Sequence, residues 1–139
     1  MSTLERAIVI AADAHAGQVD KAGEPYILHP LRVMLLVSGE TARIVAVLHD
    51  VVEDTPVTLE QLRESGYSAE VIDAVDALTR RDGEDYFAFV ERAGRNQIAR
   101  AVKLADLADN MDMTRIASPS TRDTERLARY RRAKEMLER

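Results

Sequence analysis

The segment 43–54 reads RIVAVLHDVVED, and it decides the fold class more than any other stretch of the chain. Its first half is an apolar run, which is typical of a buried helix. The ionisable residues that follow keep helical spacing, because His49 and Glu53 are four positions apart, as are Asp50 and Asp54. The pattern predicts one continuous helix over 43–54 with these four side chains on a single face.

Apolar residues fill much of the rest of this helix, among them Val47, Leu48 and Val51. Three carboxylates and an imidazole beside so much apolar surface cost free energy unless they bind a metal or are otherwise paired. The segment therefore favours a metal centre of the kind that phosphohydrolases use.

Candidate partners for this segment lie far away in the sequence. His29 stands at a predicted helix start, and Asp106 lies in an amphipathic helix. With His49 and Asp50 they would form a site of two imidazoles and two carboxylates, a ligand set that suits Mn²⁺ and also fits iron or zinc. A purely structural pairing of buried histidines and aspartates is the alternative. The third histidine, His15, is interpreted as a packed or capping residue rather than a ligand.

Helical periodicity continues along nearly the whole chain, and no segment alternates in the manner of a strand. Capping signatures place Ser2, Ser68 and Ser118 at helix starts, and Thr58 with Gln61 forms a capping box. The expected helices span about 2–16, 29–38, 43–54, 58–65, 69–78, 85–92, 97–113 and 119–137. We expect one all-α domain over residues 1–139 with about seven or eight helices.

Composition narrows the class of protein. The chain has 139 residues, no cysteine and a net charge of −5. The missing cysteines exclude disulfides and thiolate zinc sites, and the negative charge argues against a nucleic-acid-binding protein. No apolar run approaches the roughly 18 residues of a membrane span, and no signal-peptide pattern is present. We expect a cytoplasmic protein with neither membrane nor nucleic-acid partners, and the sequence carries no signal for an oligomeric state.

Three motifs carry a resemblance to a known family. They are GEPYILHP over 23–30, LHDVVEDT over 48–55, and KLAD over 103–106 followed by Asn110. In these motifs the chain resembles the HD-domain hydrolases of the RelA/SpoT type, and it looks like a stand-alone small alarmone hydrolase. The resemblance implies an all-α HD-domain helical bundle. It also implies hydrolysis of the 3′-pyrophosphate of guanosine tetra- or pentaphosphate, so a nucleotide is the expected partner.

The resemblance also implies a role for each matching residue. Those roles are Mn²⁺ binding by His29, His49, Asp50 and Asp106, orientation or activation of the attacking water by Glu53 and Asp54, and substrate contact by Lys21, Asn110 and Tyr130. Lys103 has two interpretations, since its ammonium can meet a substrate phosphate or pair with the neighbourhood of Asp106. General-base chemistry by Glu53 agrees with its place beside the candidate ligands.

The chain departs from the family pattern at four positions. Asp20 stands where guanosine-alarmone hydrolases usually have an arginine that lies against the base. Leu107 replaces another expected arginine, Asp109 replaces a histidine or tyrosine, and Asp112 replaces a basic residue. None of these changes removes a metal ligand or the acidic pair. The chemistry is therefore expected to be kept, while substrate recognition shifts, for example toward an adenosine alarmone.

Three hypotheses compete for the function. The leading one is Mn²⁺-dependent pyrophosphohydrolysis of (p)ppGpp or (p)ppApp. The second keeps the metal but releases phosphate from another phosphorylated nucleotide such as NADPH. The third is a non-catalytic nucleotide-binding regulator, and the complete ligand set and acidic pair count against it.

Overall fold

The computed structural model describes residues 2–139, and over that range the chain is all-α, as predicted. The nine helices of the described range are α1 (Leu4–Ala14), α2 (Leu28–Leu36), α3 (Glu40–Leu48), α4 (Val51–Asp54), α5 (Leu59–Glu64), α6 (Ala69–Ala77), α7 (Tyr86–Gly94), α8 (Gln97–Asn110) and α9 (Thr121–Glu138). A single isolated antiparallel bridge, Val19 to Pro25, closes the loop before α2. None of these helices is long and apolar enough to cross a membrane.

Helix α3 lies at the centre and packs against α1, α2, α6 and α8. Its residues Ile44 to Leu48 are all buried, which confirms that the apolar run forms part of the hydrophobic core. Burial of such side chains contributes roughly 1.5–3 kcal/mol each, so this helix anchors its neighbours. Because α2 and α3 both pack on α8, the start of α2 and the residues after α3 lie beside α8.

A smaller apolar cluster attaches the C-terminal helix. Ala133 and Leu137 of α9 pack with Val90 of α7 and Leu107 of α8. Helix α9 otherwise presents a polar surface, so these contacts fix its position across α7 and α8.

Side-chain capping sets most helix starts. The capping box of Thr58 and Gln61 and the cap at Ser68 are confirmed. Two predicted caps are wrong. Thr3 rather than Ser2 accepts a backbone N–H at the start of α1. Ser120 rather than Ser118 caps α9, because Asp123 at the third helical position completes a reciprocal capping box with it.

The predicted continuous helix over 43–54 is wrong in one respect, since it breaks at His49 and Asp50. The Nδ1 atom of His49 lies 2.6 Å from the carbonyl oxygen of Ala46. In a continuous helix that oxygen would accept the N–H of Asp50. The imidazole therefore competes with the helical hydrogen bond, and the chain restarts as α4 at Val51.

Candidate metal centre

Three separate segments bring the predicted metal ligands together. His29 lies in the first turn of α2, His49 and Asp50 form the break between α3 and α4, and Asp106 lies in the second half of α8. His29, His49 and Asp106 are buried, with no more than 5% of any of them exposed. Because α2 and α3 both pack on α8, the tertiary fold brings these residues to one point.

The donor atoms of the four residues face one another. The Nε2 atom of His29 lies 2.9 Å from Oδ1 of Asp106 and 3.7 Å from Oδ2 of Asp50. The Nε2 atom of His49 lies 3.1 Å from Oδ2 of Asp50 and 3.4 Å from Oδ1 of Asp106. Two nitrogens and two carboxylate oxygens at these spacings are a donor set that a divalent transition ion accepts.

Both imidazoles are turned so that Nε2 faces this centre. The Nδ1 atom of His29 lies 2.6 Å from Oδ2 of Asp109, and Nδ1 of His49 lies 2.6 Å from the carbonyl oxygen of Ala46. Since both partners only accept hydrogen bonds, Nδ1 carries the proton in each neutral ring, and Nε2 keeps a lone pair. Nε2 of His49 is buried without a hydrogen-bond partner among residues 2–139. Lone pairs that face carboxylates require a cation, so these residues fit a metal.

Without a bound ion, protonation of the histidines compensates the negative charge of the neighbouring carboxylates. Burial disfavours the charged form of His29, but hydrogen bonds with Asp106 and Asp109 outweigh it and raise its pKa to about 9. Burial also opposes ionisation of Asp106. The nearby Lys103 ammonium and the hydrogen bond with His29 overcome that effect and hold its pKa well below the usual range. The surroundings of the centre therefore stabilise a positive charge there.

Tyr26 is a neighbour of the centre that the sequence analysis did not single out. Its hydroxyl donates a hydrogen bond to Oδ2 of Asp50, and its ring lies between those of His15 and His29. Burial and the Asp50 carboxylate raise its pKa, which keeps the phenol protonated as a donor. His15 is packed here, as predicted, and its Nδ1 atom is 2.8 Å from Oε1 of Gln18.

A second contact between α2 and α8 was also missed. Arg32 lies one turn after His29, and Asp109 lies one turn after Asp106. Arg32 donates from Nε and Nη2 to the two oxygens of Asp109, at 2.7 and 3.1 Å. Both helices repeat the spacing of three residues, but the sequence alone does not show which residues face each other, and Asp109 was interpreted only as a departure from the family.

The predicted catalytic pair, Glu53 and Asp54, lies on α4, three and four residues after Asp50. Oε1 of Glu53 accepts the backbone N–H of Arg80 at 2.7 Å, so the carboxylate is tied to the loop after α6. Partial burial and the negative charges of Asp50 and Glu53 raise the pKa of Asp54 to about 6. Because the helix breaks at His49 and Asp50, the four ionisable residues do not lie on one continuous helix as predicted.

The loop that holds Glu53 is fixed by Arg92 of α7. The Arg92 guanidinium pairs with both oxygens of Glu84, at 3.0 and 2.9 Å, and donates to the carbonyl oxygen of Thr79 at 2.9 Å. These bonds close the loop over 79–84 and present the Arg80 amide to Glu53. Arg92 therefore affects Glu53 indirectly, because it fixes the loop whose Arg80 amide donates to the Glu53 carboxylate.

The structure places the predicted substrate-binding residues in two groups. The ammonium of Lys21 lies 5.9 Å from the ring centroid of Tyr130, so these two come together. Asn110 donates to Oδ1 of Asp106 at 3.1 Å, and the buried Lys103 ammonium lies 3.0 Å from Oδ2 of the same residue. Of the two interpretations of Lys103, the pairing with Asp106 is the one that the side chain adopts.

A cavity of about 240 Å³ opens beside His29. Lys21 and Asn110 line it, and so do Asp20, Arg32 and the α8 residue Asp109. An opening next to the donor atoms with both charged and amide groups in its walls suits a polar ligand.

Asp20 has a role inside its own loop. Its Oδ1 atom accepts the backbone N–H groups of Ala22 and Glu24, at 2.9 and 3.0 Å. A carboxylate in this position holds the turn and brings a negative charge to the cavity wall.

Comparisons with known proteins identify the family. The family model described as "HD domain" matches residues 7–136. The guanosine-3′,5′-bis(diphosphate) 3′-pyrophosphohydrolase of Haemophilus influenzae is 40% identical over 117 residues, which cover 74% of this chain and 17% of that protein. A probable GTP pyrophosphokinase of Mycobacterium leprae is 34% identical over 151 residues, which cover 99% of this chain and 18% of that protein. The chain thus spans less than a fifth of the length of these relatives.

A solved structure gives the same fold. It is described as a metazoan orthologue of SpoT that hydrolyses ppGpp, and it aligns with a TM-score of 0.81 at 23% identity. The alignment covers 99% of this chain and 86% of that one. At this identity the likeness is evidence for the fold alone.

Proposed function

Since the chain belongs to the HD-domain family, we propose that it is a Mn²⁺-dependent hydrolase that removes the 3′-pyrophosphate of an alarmone nucleotide. One observation carries the proposal. Each Nε2 atom of His29 and His49 lies 2.9 to 3.7 Å from an oxygen of Asp50 and from an oxygen of Asp106, and the Nδ1 contacts of both rings direct Nε2 toward these carboxylates.

The substrate class rests on the named relatives. The relative from Haemophilus influenzae is named for hydrolysis of guanosine-3′,5′-bis(diphosphate), and 74% of this chain aligns with it at 40% identity. The proposal extends that activity to this chain, with (p)ppGpp or (p)ppApp as substrate.

The ligand set gives each residue a task. His29, His49, Asp50 and Asp106 would hold the ion, which supplies Lewis-acid polarisation of a phosphoryl oxygen and makes a nearby water more acidic. Tyr26 fixes the Asp50 carboxylate, and its protonated hydroxyl limits the rotation of that ligand. The histidines are buried, so their electrostatic interactions with the carboxylates are little screened by solvent.

Glu53 is proposed to orient the attacking water and to accept its proton. One of its oxygens accepts the Arg80 amide, and that bond fixes the direction of the carboxylate. Asp54, with its pKa raised to about 6, is proposed to share the proton close to neutral pH. The pair lies on the helical turn that follows Asp50, which is where a base for a water on the proposed ion would be needed.

The nucleotide is proposed to enter the cavity beside His29. Lys21 supplies a positive charge for phosphate, and the Tyr130 ring beside it supplies an aromatic face for stacking. Asn110 offers an amide on the same side, and Lys103 balances the charge of Asp106. Asp20 lowers the positive potential of the cavity wall, and it stands where related hydrolases have an arginine against the base, so a weak preference for guanine or a preference for adenine is proposed.

Purified protein with Mn²⁺ tests the proposal against ppGpp, ppApp, NADPH and common nucleotides, with products separated by chromatography. We expect pyrophosphate release from an alarmone, abolished in Asp50→Asn and retained in the control Asp73→Asn on the exposed face of α6. Phosphate release from NADPH as the main reaction would replace the proposed function with the phosphatase hypothesis. Nucleotide binding without any product would leave the regulator.

A further inference from the structure

Helices α2 and α8 face each other through two successive charged contacts. The first joins His29 to Asp106, with 2.9 Å between Nε2 and Oδ1. The second, one turn further along both helices, joins Arg32 to Asp109. Asp109 also reaches back to the first contact, because its Oδ2 atom lies 2.6 Å from Nδ1 of His29.

Asp109 is built into the protein rather than exposed on it. Only 7% of the residue is exposed, and its carboxylate accepts hydrogen bonds from His29 and from two nitrogens of Arg32. Arg115 adds a second guanidinium, with Nη2 at 3.6 Å from Oδ1. A carboxylate with this many donors cannot turn away from His29 without losing several charge-assisted hydrogen bonds.

We propose that Asp109 is a positioning residue for the metal centre, which fixes the tautomer and ring orientation of His29 and is itself held in place by Arg32. This inference rests on the proposed function, because it assigns Asp109 a role toward the metal. The His29 ring then keeps its proton on Nδ1 and directs Nε2 to the ion. A histidine ligand that donates to a carboxylate is more basic and more rigid than one that donates to water.

The arrangement explains why an aspartate is compatible with this position of α8. A carboxylate so close to Asp106 would repel it if both charges were uncompensated. Arg32 lies against Asp109 and Lys103 against Asp106, so each carboxylate has its own cation. The interpretation of Asp109 as only a change in substrate recognition is replaced by a role at the metal.

The test measures metal affinity and the His29 tautomer, not turnover. Isothermal titration with Mn²⁺ gives the Kd of wild type, Asp109→Ala and Asp109→Asn. Long-range ¹H–¹⁵N spectra of the same proteins with Zn²⁺, a diamagnetic probe, show which His29 nitrogen is protonated. We expect Asp109→Ala to weaken Mn²⁺ binding by about 10- to 100-fold and to mix the His29 tautomers.

The asparagine variant guards against a folding defect. It keeps the shape of the side chain and an acceptor for Nδ1–H, so the protein should fold. A neutral acceptor makes a bond roughly half as strong as a charged one, and we expect a loss of about fivefold in affinity with the Nδ1–H tautomer retained.

Asp112→Ala is the matched control. It removes the same charge three residues further on and breaks an ion pair with Arg115, but its side chain touches no metal ligand. We expect its Kd to stay within about twofold of wild type, because an exposed charge at that distance is screened. If Asp109→Ala matches Asp112→Ala in Kd and keeps the wild-type tautomer, the inference is overturned. A wild type that binds no divalent ion would instead overturn the proposed function itself, and this inference with it.

Discussion

Glu53 combines a structural contact with its proposed chemistry, because one carboxylate oxygen already accepts the Arg80 amide. Glu53→Gln keeps an oxygen acceptor for that amide but cannot take a proton. We expect unchanged Mn²⁺ affinity and a fall in kcat of about 10²- to 10⁴-fold on the alarmone substrate. Titration calorimetry and a pyrophosphate-release assay measure the two quantities. Glu70→Gln, on the exposed side of α6, is the control, and near-normal kcat in Glu53→Gln would assign Glu53 to structure.

At Asp20 the loop contacts decide which substitution is informative. Asp20→Arg would remove the bonds to the Ala22 and Glu24 amides together with the charge, whereas Asp20→Asn keeps an acceptor. We expect the asparagine variant to lower KM for ppGpp about two- to threefold with kcat unchanged, since one repulsive charge near the phosphates is gone. Steady-state kinetics beside Asp73→Asn check this. An unchanged KM would show that Asp20 does not face the phosphates.

Single residues differ in how much their sequence context predicted. His29, His49, Asp50 and Asp106 stand in three ordered motifs, and the structure brings all four together. Asp109 was not predicted as part of the centre, because its contact with His29 depends on the register between α2 and α8. Helix register across a tertiary interface follows from packing and leaves no pattern within either segment.

Among the helices, α7 controls a segment that it does not contain. Arg92 closes the loop over 79–84 through Glu84 and the Thr79 carbonyl, and the loop in turn supplies the Arg80 amide to Glu53. Arg92→Met keeps the aliphatic stem and removes these bonds. We expect a loss of about 1–2 kcal/mol in the free energy of unfolding and faster hydrogen exchange at the Arg80 amide. Urea unfolding and exchange measured by NMR test both.

Arg95→Met is the control on the same helix. Its guanidinium pairs with Glu91 in an exposed contact four residues away, which contributes about 0.3–0.5 kcal/mol. If the two methionine variants lose equal stability and leave the Arg80 amide equally protected, the loop is held by other contacts.

Helix types and approximate limits were predictable, and the break between α3 and α4 was not. Thr58 and Ser68 cap their helices as expected, because an N-cap acts on amides only two or three residues away. The break depends on the His49 ring competing for the Ala46 carbonyl. Sequence periodicity indicates the apolar face of a helix. It does not indicate that a side chain will hydrogen-bond to a main-chain carbonyl in place of a backbone N–H.

Over the whole molecule, the proposed metal centre connects the first third of the chain to α8. Its ligands are brought together only by folding, so metal binding and folding are coupled. An ion bound at a concentration 100 times its Kd adds about 2.7 kcal/mol to the free energy of unfolding. Chelation should therefore lower Tm without changing the helical content at low temperature.

The pH dependence of that effect has a definite sign. In the metal-free protein the pKa of His29 is raised to about 9, so its protonated form stabilises the fold below pH 6.5. This contribution is lost as pH rises through the folded pKa. We expect Tm in EDTA to fall between pH 6.5 and 8.5, and the gain from Mn²⁺ to grow over the same range, because the ion displaces protons. Circular dichroism melts measure both trends, and a Tm in EDTA that rises with pH would contradict the assignment.

The two proposed histidine ligands differ in what a mutation can do to them. The acceptor that orients His49 is the main-chain oxygen of Ala46, which every amino acid at that position would supply. The acceptor that orients His29 is the side chain of Asp109, which a single codon change removes. Mutation at position 109 can therefore change the orientation of His29, while His49 keeps its main-chain acceptor. A library designed to change the metal preference would vary positions 109 and 32 and leave the end of α3 untouched.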